Sequence, residues 1–515
     1  MTKRKKIKER ITLHPVMAFI VLIIIAILIS GILSLFNVSV TYNTLNTTKV
    51  DYISTTQSIN SLFNLSGVKY IFSNTVSNFA NFTVLSHLII VLLGIGVMEY
   101  SGFLKTAVGV LTKKAKKKLI TYVIVLVCLL SSIMGNLPFI AFIPLAALIF
   151  KYGKRNPNIG IIASFASLTC GYGLSMFFTS IDSSLAKLTT DAAHLLDSGF
   201  KFGTFSLFLI SVIAILVLSF VITHITENYI ARKLPKYEFE EDETLNDDEL
   251  TRSELKGLVL AGLGSLVYLV IFIYNIIPGL PFSGNFLNYS ETLYIDKLFG
   301  AESFFANGFV FIVTILFIIW GLLYGIGAKT IKNNREFIES LGHSLNGIGK
   351  TLVFIFASAT FISIFKQTNL GNVIVAGFTN LISSSDFSGL ALVILLFIAS
   401  AVSTIFVPSS VSKWAIMAPQ VVPTFINVGI SGEFAQLIFR FGECASLGLT
   451  PLFAYFIVYL AYLERYNQDE KSMSIFTSIK YQSSYAACTA GILLLFLVLW
   501  YIISLPLGFG GSIAV

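Results

Sequence analysis

A short polar run interrupts one of the most apolar regions of the chain, at IFVPSSVSKWAIMAP (405–419). Its polar side chains are those of Ser409, Ser410, Ser412 and Lys413. Hydroxyl and freed carbonyl oxygens suit coordination of Na⁺ or a solute carboxylate, and the next residue, Trp414, offers a flat face for a planar ring. The run predicts a solute site. The alternative is that the serines satisfy loop backbone and Lys413 pairs with a structural carboxylate.

A second group of charged residues lies in FRFGECASLGLTP (439–451), where Arg440 and Glu443 stand three residues apart on one helix face. Arg440 could clamp a carboxylate through two hydrogen bonds, and Glu443 could carry a proton or bind Na⁺. An inert salt bridge is the alternative for this pair. Asp182, in TCGYGLSMFFTSIDSSLA (169–186), either lines the same cavity or belongs to an external loop.

Asn136 marks a third polar position, in the sequence MGNLP (134–138). Its amide can donate and accept hydrogen bonds, and the flanking Gly135 and Pro138 break a helix. A turn residue without further function is the alternative. If Na⁺ binds, we expect it near Asn136, Ser410 and Glu443.

These polar groups lie in a membrane protein. The chain is 55% hydrophobic and 12% charged, with a mean hydropathy of +0.82, whereas soluble domains carry about 25% charged residues. Apolar runs such as VMAFIVLIIIAILISGILSLF (16–36) recur and reach the length of about 20 residues that crosses a bilayer. The net charge of +8 reflects lysine-rich loops such as KTAVGVLTKKAKKK (105–118), which indicate cytoplasmic segments rather than nucleic-acid binding.

We predict an all-α polytopic membrane protein with nine transmembrane helices and a cytoplasmic N-terminus. The predicted spans are 16–36, 82–103, 157–180, 202–223, 256–277, 304–327, 351–383, 434–458 and 481–504. A polar external loop is expected at 37–81, and KQTNLGN (366–372) should interrupt the seventh span. The predicted divisions are a cytoplasmic N-terminus (1–15), a first membrane half (16–223), an acidic cytoplasmic linker (224–255) and a second membrane half (256–515).

Two apolar segments, 119–150 and 388–424, do not fit simple spans. The first is too short to cross twice, yet basic clusters flank both of its ends. We predict that each is a re-entrant helical hairpin and that the two enter from opposite sides, as part of two inverted repeats. Inverted repeats with broken helices are typical of secondary transporters, and irregular backbone at membrane depth is tolerated where it lines a cavity.

Longer motifs carry a resemblance that runs nearly end to end. They are LHPVMAF, LLGIGVMEYSGFL, IPLAALIFKYG, ITENYIARKL, GIGAKTIKNNREFI, SKWAIMAPQVVPTF, LAYLERYNQD and LPLGFGG. With these the chain resembles the p-aminobenzoyl-glutamate transporter family, also called the AbgT family. The resemblance implies a homodimer with nine transmembrane helices and two re-entrant hairpins. It also implies transport of p-aminobenzoyl-glutamate driven by an H⁺ or Na⁺ gradient, and some members look like exporters of sulfonamide antifolates.

By this resemblance, functional roles transfer to four matching positions: Asp182, Trp414, Arg440 and Pro451. Other positions depart from the family pattern. This chain has Val411 for Ser, Asn136 for Asp, Glu443 for Asp, Ser175 for Asn and Gly432 for Pro. Asn136 does not titrate and Val411 does not coordinate ions, so the coupling ion stays open. The candidate coupling residues are Asp182, Glu443, Ser175 and Ser412.

The expected function is ion-coupled secondary transport of p-aminobenzoyl-glutamate or a related aromatic acid across the cell membrane. A planar aromatic acid would stack on Trp414 while Arg440 binds its carboxylate, with no cofactor beyond H⁺ or Na⁺. A proton-driven exporter of sulfonamide-type antimetabolites is the alternative within transporters. An ion channel is the alternative from another class, and two blind hairpins disfavour it. No nucleophile elbow, P-loop or kinase signature occurs in the sequence, which disfavours an enzyme.

Overall fold

The structure is a computed structural model of the chain. It describes six ranges: 13–46, 51–112, 116–174, 176–239, 250–300 and 302–514. Most of the predicted cytoplasmic N-terminus (1–15), the acidic centre of the linker and Ser175 lie outside the described residues.

Most of the described chain is helical. The first ten helices are α1 Pro15–Leu35, α2 Leu65–Ala80, α3 Thr83–Tyr100, α4 Phe103–Thr112, α5 Lys117–Leu130, α6 Leu137–Tyr152, α7 Pro157–Cys170, α8 Ser180–Ala193, α9 Phe208–Ile225 and α10 Ala231–Lys233. The others are α11 Arg252–Ile276, α12 Tyr294–Phe299, α13 Phe304–Ala328, α14 Asn334–His343, α15 Gly349–Gln367, α16 Leu370–Ser383, α17 Gly389–Phe406, α18 Ser410–Asn427, α19 Gly432–Ser446, α20 Phe456–Arg465 and α21 Ile475–Ile503.

Within the described residues, eight helical segments are long and apolar enough to cross a membrane. They are Pro15–Leu35, Leu65–Tyr100, Phe208–Lys233, Arg252–Ile276, Asn307–Ala328, Gly349–Gln367, Gly389–Phe406 and Ile475–Ile503. The chain is therefore a mostly helical, multi-pass membrane protein. The predicted spans 157–180 and 434–458 are absent from this set, and the first arm of the predicted hairpin 388–424 is present in it.

The predicted spans 157–180 and 434–458 are wrong as continuous helices. Helix α7 ends at Cys170, and an irregular stretch precedes α8. Helix α19 ends at Ser446, and a 3-10 turn and a second irregular stretch precede α20. Glycines at 171 and 173 weaken the first helix, and Pro451 cannot donate the backbone hydrogen bond that would continue the second. The interruption expected at 366–372 is present, between α15 and α16.

Two helix pairs correspond to the segments predicted as hairpins. In the first, α5 and α6 are joined through a 3-10 turn at Ser131–Met134 and through Gly135, whose φ is +59°. In the second, α17 ends at Phe406 and α18 begins at Ser410. Pro408 disfavours helical geometry at the residue before it, and Ser409 caps α18 by accepting from the Ser412 amide at 3.4 Å.

The predicted loop 37–81 contains regular structure that the sequence analysis did not predict, namely strands β1 (Ser39–Asn46) and β2 (Asp51–Ser58) as well as α2. The strands pair antiparallel, with Ser39 opposite Ser58. Their Thr, Val, Ile and Tyr content favours strands and could have indicated them. This β-hairpin holds the interruption after α15: the Asn369 side chain donates to the Ser58 carbonyl at 2.8 Å, and the Asn60 amide donates to the Thr368 carbonyl at 3.0 Å.

The hydrophobic core lies around α7 and α19, which are buried along their whole length. Helix α6 packs on α7, α17 packs on α19, and α8 packs on α18. In contrast, α11 leaves many apolar residues exposed, among them Leu263, Leu266 and Val267. An apolar face of this kind suits contact with lipid. The two helix pairs therefore enclose the interior where the charged residues lie.

Candidate functional site

Arg440 lies at the centre of a buried polar cluster and is 2% exposed. Its Nη1 donates to Glu443 Oε2 at 2.6 Å and to Ser410 Oγ at 2.9 Å. Its Nη2 donates to the Tyr172 carbonyl at 2.7 Å. The guanidinium therefore joins α19, the first turn of α18 and the irregular stretch before α8. The i, i+3 spacing on α19 aligns Arg440 with Glu443.

Glu443 is held by two cations. Its Oε1 lies 2.8 Å from Lys413 Nζ, and its Oε2 accepts from Arg440 and from Ser410 Oγ at 2.9 Å. Lys413 is fully buried and also donates to Thr404 Oγ1. A buried charge is tolerated when it is paired and hydrogen-bonded. Because both carboxylate oxygens face cations, Glu443 is a poor ligand for Na⁺ in this arrangement.

Asp182 completes the cluster from α8. The residue forms a capping box with Thr179, whose backbone amide and hydroxyl donate to Asp182 Oδ2 at 3.0 and 2.7 Å. Its Oδ1 lies 3.7 Å from Arg440 Nη2. Two cations and two carboxylates thus share one buried volume, and their formal charges balance. At 3.7 Å, the contact between Asp182 and Arg440 is the longest of the three described ion pairs in the cluster.

Gly173 allows the irregular stretch before α8 to approach α19. A Cβ at this position would lie well inside contact distance of the Arg440 carbonyl oxygen and 2.9 Å from Cys444 Sγ. The Gly173 amide donates to Cys444 Sγ at 3.0 Å. This close approach brings the Tyr172 carbonyl to Arg440 and places Asp182 beside it. A small cavity of about 20 Å³ adjoins Asp182 and Arg440, with room for roughly one water.

A much larger cavity, of about 880 Å³, lies next to this cluster. Its lining contains Asn136 from the first helix pair, and Ser409, Ser410 and Ser412 from the second. Ligand pockets typically measure about 300–1,000 Å³. Tyr172 lines both cavities, and Ser410 joins the larger one to Arg440. The larger cavity also has aromatic walls: Phe82, Tyr172, Phe365, Phe406, Phe453 and Tyr455.

Comparison with known proteins identifies the relatives of this chain. The family model described as the AbgT putative transporter family matches residues 6–515. The chain belongs to the AbgT family. It is 27% identical over 497 residues to the p-aminobenzoyl-glutamate transport protein of Escherichia coli (strain K12), an alignment that covers 96% of this chain and 94% of that protein. The predicted family is therefore confirmed, and its members are transporters rather than enzymes.

Two solved structures of AbgT transporters are similar to the chain. The YdaH transporter of Alcanivorax borkumensis is 23% identical, with a TM-score of 0.48, and the match covers 96% of this chain and all of that one. MtrF of Neisseria gonorrhoeae, described as illuminating a class of antimetabolite efflux pumps, is 26% identical, with a TM-score of 0.48 and 98% coverage of both chains.

Of the predicted site residues, the structure brings together Asp182, Ser410, Arg440 and Glu443 in the charged cluster. It does not bring Trp414 to the large cavity. The Trp414 side chain is fully buried, packs on Phe439 with ring centroids 4.5 Å apart, and donates from its indole N–H to Thr189 Oγ1 at 2.8 Å. In this conformation neither face of the indole is open to a solute. Its transport role remains a prediction.

The remaining predicted positions are scattered. Val411 and Asn136 line the large cavity, where they present an apolar side chain and a neutral amide. Gly432 begins α19 and packs near Phe200 and Thr189, away from that cavity. Pro451 lies in the irregular stretch before α20. Ser175 is not among the described residues.

Sequence reasoning missed the partner of Lys413 and the large cavity's own lysine, Lys366. The notable signal for both was a lysine inside an apolar segment, which is costly unless it is paired or functional. The aromatic walls were also missed, because Phe and Tyr in an apolar helix carry the same signal whether they pack in a core or face a cavity.

Proposed function

We propose that this AbgT-family member carries an aromatic carboxylic acid of the p-aminobenzoyl-glutamate type across the membrane, coupled to H⁺ or Na⁺. The observation that carries the proposal is the 880 Å³ cavity, since its lining combines residues from both helix turns and directly adjoins Arg440 through Ser410. The E. coli relative described as a p-aminobenzoyl-glutamate transport protein supports the choice of solute.

The solute carboxylate is proposed to bind Arg440. In this conformation Arg440 lies behind Ser410 and Tyr172 rather than on the large cavity's lining. A carboxylate arriving at Ser410 could replace the hydroxyl on Nη1 and form a two-point contact with the guanidinium. Lys413 would then keep Glu443 paired, because it occupies the other carboxylate oxygen. The cluster could therefore accept a solute anion without leaving Glu443 alone.

The aromatic ring of the solute is proposed to lie against Tyr172, Phe453 or Tyr455. These side chains line the large cavity, whereas Trp414 does not. Stacked or edge-on aromatic contacts would add to affinity, at about 0.5–1.5 kcal/mol each. Trp414 would act indirectly, by fixing the first turn of α18 against Thr189 on α8.

Asp182 is the proposed coupling carboxylate. Both oxygens of Glu443 face cations at 2.6–2.8 Å, whereas Asp182 Oδ1 lies 3.7 Å from Arg440 and beside the smaller cavity. Of the two carboxylates, Asp182 lines this water-sized cavity and Glu443 does not, so a coupling ion entering the cavity would meet Asp182. The proposal also retains four predicted features of the protein. They are re-entrant hairpins, a homodimer, a cytoplasmic N-terminus and alternating access through hairpin movement.

The proposal is tested with purified protein in proteoliposomes and radiolabelled p-aminobenzoyl-glutamate. Na⁺ and H⁺ gradients are imposed separately and in both directions, with protein-free liposomes as the control. We expect saturable flux driven by one of the two ions. Non-saturable flux would favour a channel, and the absence of flux in every arm would overturn the solute assignment. Efflux alone, with sulfonamides as competitors, would support the antimetabolite exporter instead.

A further inference from the structure

We propose that Lys366 binds a second carboxylate of the solute, so that the carrier selects dicarboxylic over monocarboxylic aromatic acids. This inference rests on the proposed function, and it assigns to Lys366 a role in specificity.

Lys366 lies in the last turn of α15, one residue before that helix ends at Gln367. Its side chain is exposed and lines the 880 Å³ cavity. A lysine at the end of an apolar membrane-spanning helix is costly unless water or a partner meets it. In the described part of the chain no carboxylate forms an ion pair with Lys366. Its ammonium is therefore available to a ligand in the cavity.

The charge of the cavity lining points to an anion. Among its described residues, Lys366 carries a formal charge and no Asp or Glu is present. Neutral hydrogen-bonding groups surround it: Asn78, Asn81, Asn136, Ser363, Asn369 and Asn372. Amide and hydroxyl groups can donate to carboxylate oxygens while the ammonium supplies the charge. A cation would meet a positive charge in this cavity and no described carboxylate.

The β-hairpin fixes the backbone next to Lys366. The Asn60 side chain donates to the Gln367 carbonyl at 3.2 Å, and the Asn60 backbone N–H donates to the Thr368 carbonyl at 3.0 Å. Asn369, with φ of +60°, donates to Gln57 Oε1 and to the Ser58 carbonyl, both at 2.8 Å. Such anchoring holds the lysine stem in place, which lowers the entropic cost of binding.

Lys366 lines the large cavity, whereas Arg440 lies directly behind another part of its lining. Arg440 is reached through Ser410 and Tyr172, which both line the large cavity, and Lys366 lies on the α15 side of the same cavity. A glutamate conjugate of an aromatic acid carries two carboxylates. One would bind at Arg440 and the other at Lys366, with the aromatic ring between the cavity's aromatic walls.

The test compares p-aminobenzoyl-glutamate with p-aminobenzoyl-glutamine, which replaces the side-chain carboxylate by a neutral amide of the same shape. Transport of both is measured for wild type, Lys366→Met, Lys366→Arg and Lys187→Met. Lys187 is an exposed lysine on α8 that is outside the cavity lining. We expect Lys366→Met to raise the KM for the glutamate conjugate about tenfold and to leave the glutamine conjugate unchanged, since a charge-assisted hydrogen bond is lost. Lys366→Arg and Lys187→Met should keep the wild-type preference.

Equal effects of Lys366→Met on both conjugates, or no effect on either, would overturn the inference. Equal effects would mean that the lysine acts on the C-terminus of α15 rather than on the solute. A binding measurement separates this failure from failure of the proposed transport. Ligands that bind the folded state raise the Tm of purified protein whether or not it transports them. A larger Tm rise with the glutamate conjugate in wild type than in Lys366→Met supports the inference, and equal rises contradict it.

Discussion

Lys413 Nζ lies 2.8 Å from Glu443 Oε1, on the carboxylate oxygen that Arg440 does not hold. The pair joins the first turn of α18 to α19, and both side chains are at most 1% exposed. Glu443 therefore serves first as the shared counter-ion of two buried cations. This relationship links the stability of the charged cluster to the proposed binding of a solute carboxylate at Arg440 in place of the Ser410 hydroxyl.

Glu443→Gln should be strongly destabilising, because it removes the carboxylate that Lys413 and Arg440 share. Breaking a buried ion pair by removing one partner costs about 3–5 kcal/mol. The double variant Lys413→Met/Glu443→Gln restores the balance of charge and should recover much of this loss. Thermal unfolding of the purified variants measures both effects. A Glu443→Gln protein as stable as wild type would show that the two cations do not depend on this carboxylate.

Arg440→Lys should fold but transport poorly. The ammonium keeps the charge, yet it cannot reproduce the planar set of contacts to Ser410, Glu443 and the Tyr172 carbonyl. We expect the uptake rate in proteoliposomes to fall by about tenfold or more. Arg335→Lys is the matched control, since Arg335 forms an exposed pair with Glu339. Wild-type uptake by the Arg440→Lys protein would argue against a solute contact at Arg440.

Trp414→Phe tests whether the indole meets the solute. The variant keeps the apolar packing on Phe439 and loses the hydrogen bond to Thr189, which still donates to Gln436. We expect a loss of about 1–2 kcal/mol in the free energy of unfolding and little change in KM. Thermal unfolding and transport kinetics on the same preparation check this. A large rise in KM without loss of stability would instead place the indole in the solute site.

Gly173→Ala should disturb the site by steric conflict. The added Cβ would press on the Arg440 carbonyl and on Cys444, and overpacking of this kind costs about 1–3 kcal/mol. Gly262→Ala is the control, because no atom lies within 4 Å of its added Cβ and α11 should gain helix propensity. The comparison uses thermal unfolding and uptake. Equal behaviour of the two variants would mean that the close approach at Gly173 is not needed.

Sequence reasoning located the helix breaks near 134–138, 366–372 and 405–410, but it did not predict the contacts between helices. Gly135 and Pro138 constrain the backbone locally, so the break that they cause is readable from the sequence. The Arg440–Glu443 pairing followed from three-residue spacing on one helix. Lys413 and Glu443 are far apart in the sequence, as are Trp414 and Thr189. Their contacts depend on how α18 packs against α19 and α8. No local pattern specifies that packing.

The length of each helix was the other limit. Apolar composition predicted full spans at 157–180 and 434–458, but helices buried in protein are apolar whether or not they cross a bilayer. Helices α7 and α19 are buried along their whole length, so composition could not distinguish the two cases. The β-hairpin was missed because its polar residues were assigned to a loop.

The most direct measurement is cysteine labelling of the large cavity from both of its helix turns. Asn136→Cys and Ser409→Cys are made in a Cys488→Ala background, since the other native cysteines are buried. Both positions are exposed and line the cavity, whereas Phe282→Cys is an exposed control elsewhere. A membrane-impermeant thiol reagent should modify all three, and p-aminobenzoyl-glutamate should slow labelling at 136 and 409 only. The account would be contradicted if position 136 or 409 is not labelled, or if the solute does not slow labelling there. Either result would mean that the two helix turns do not share a solute cavity.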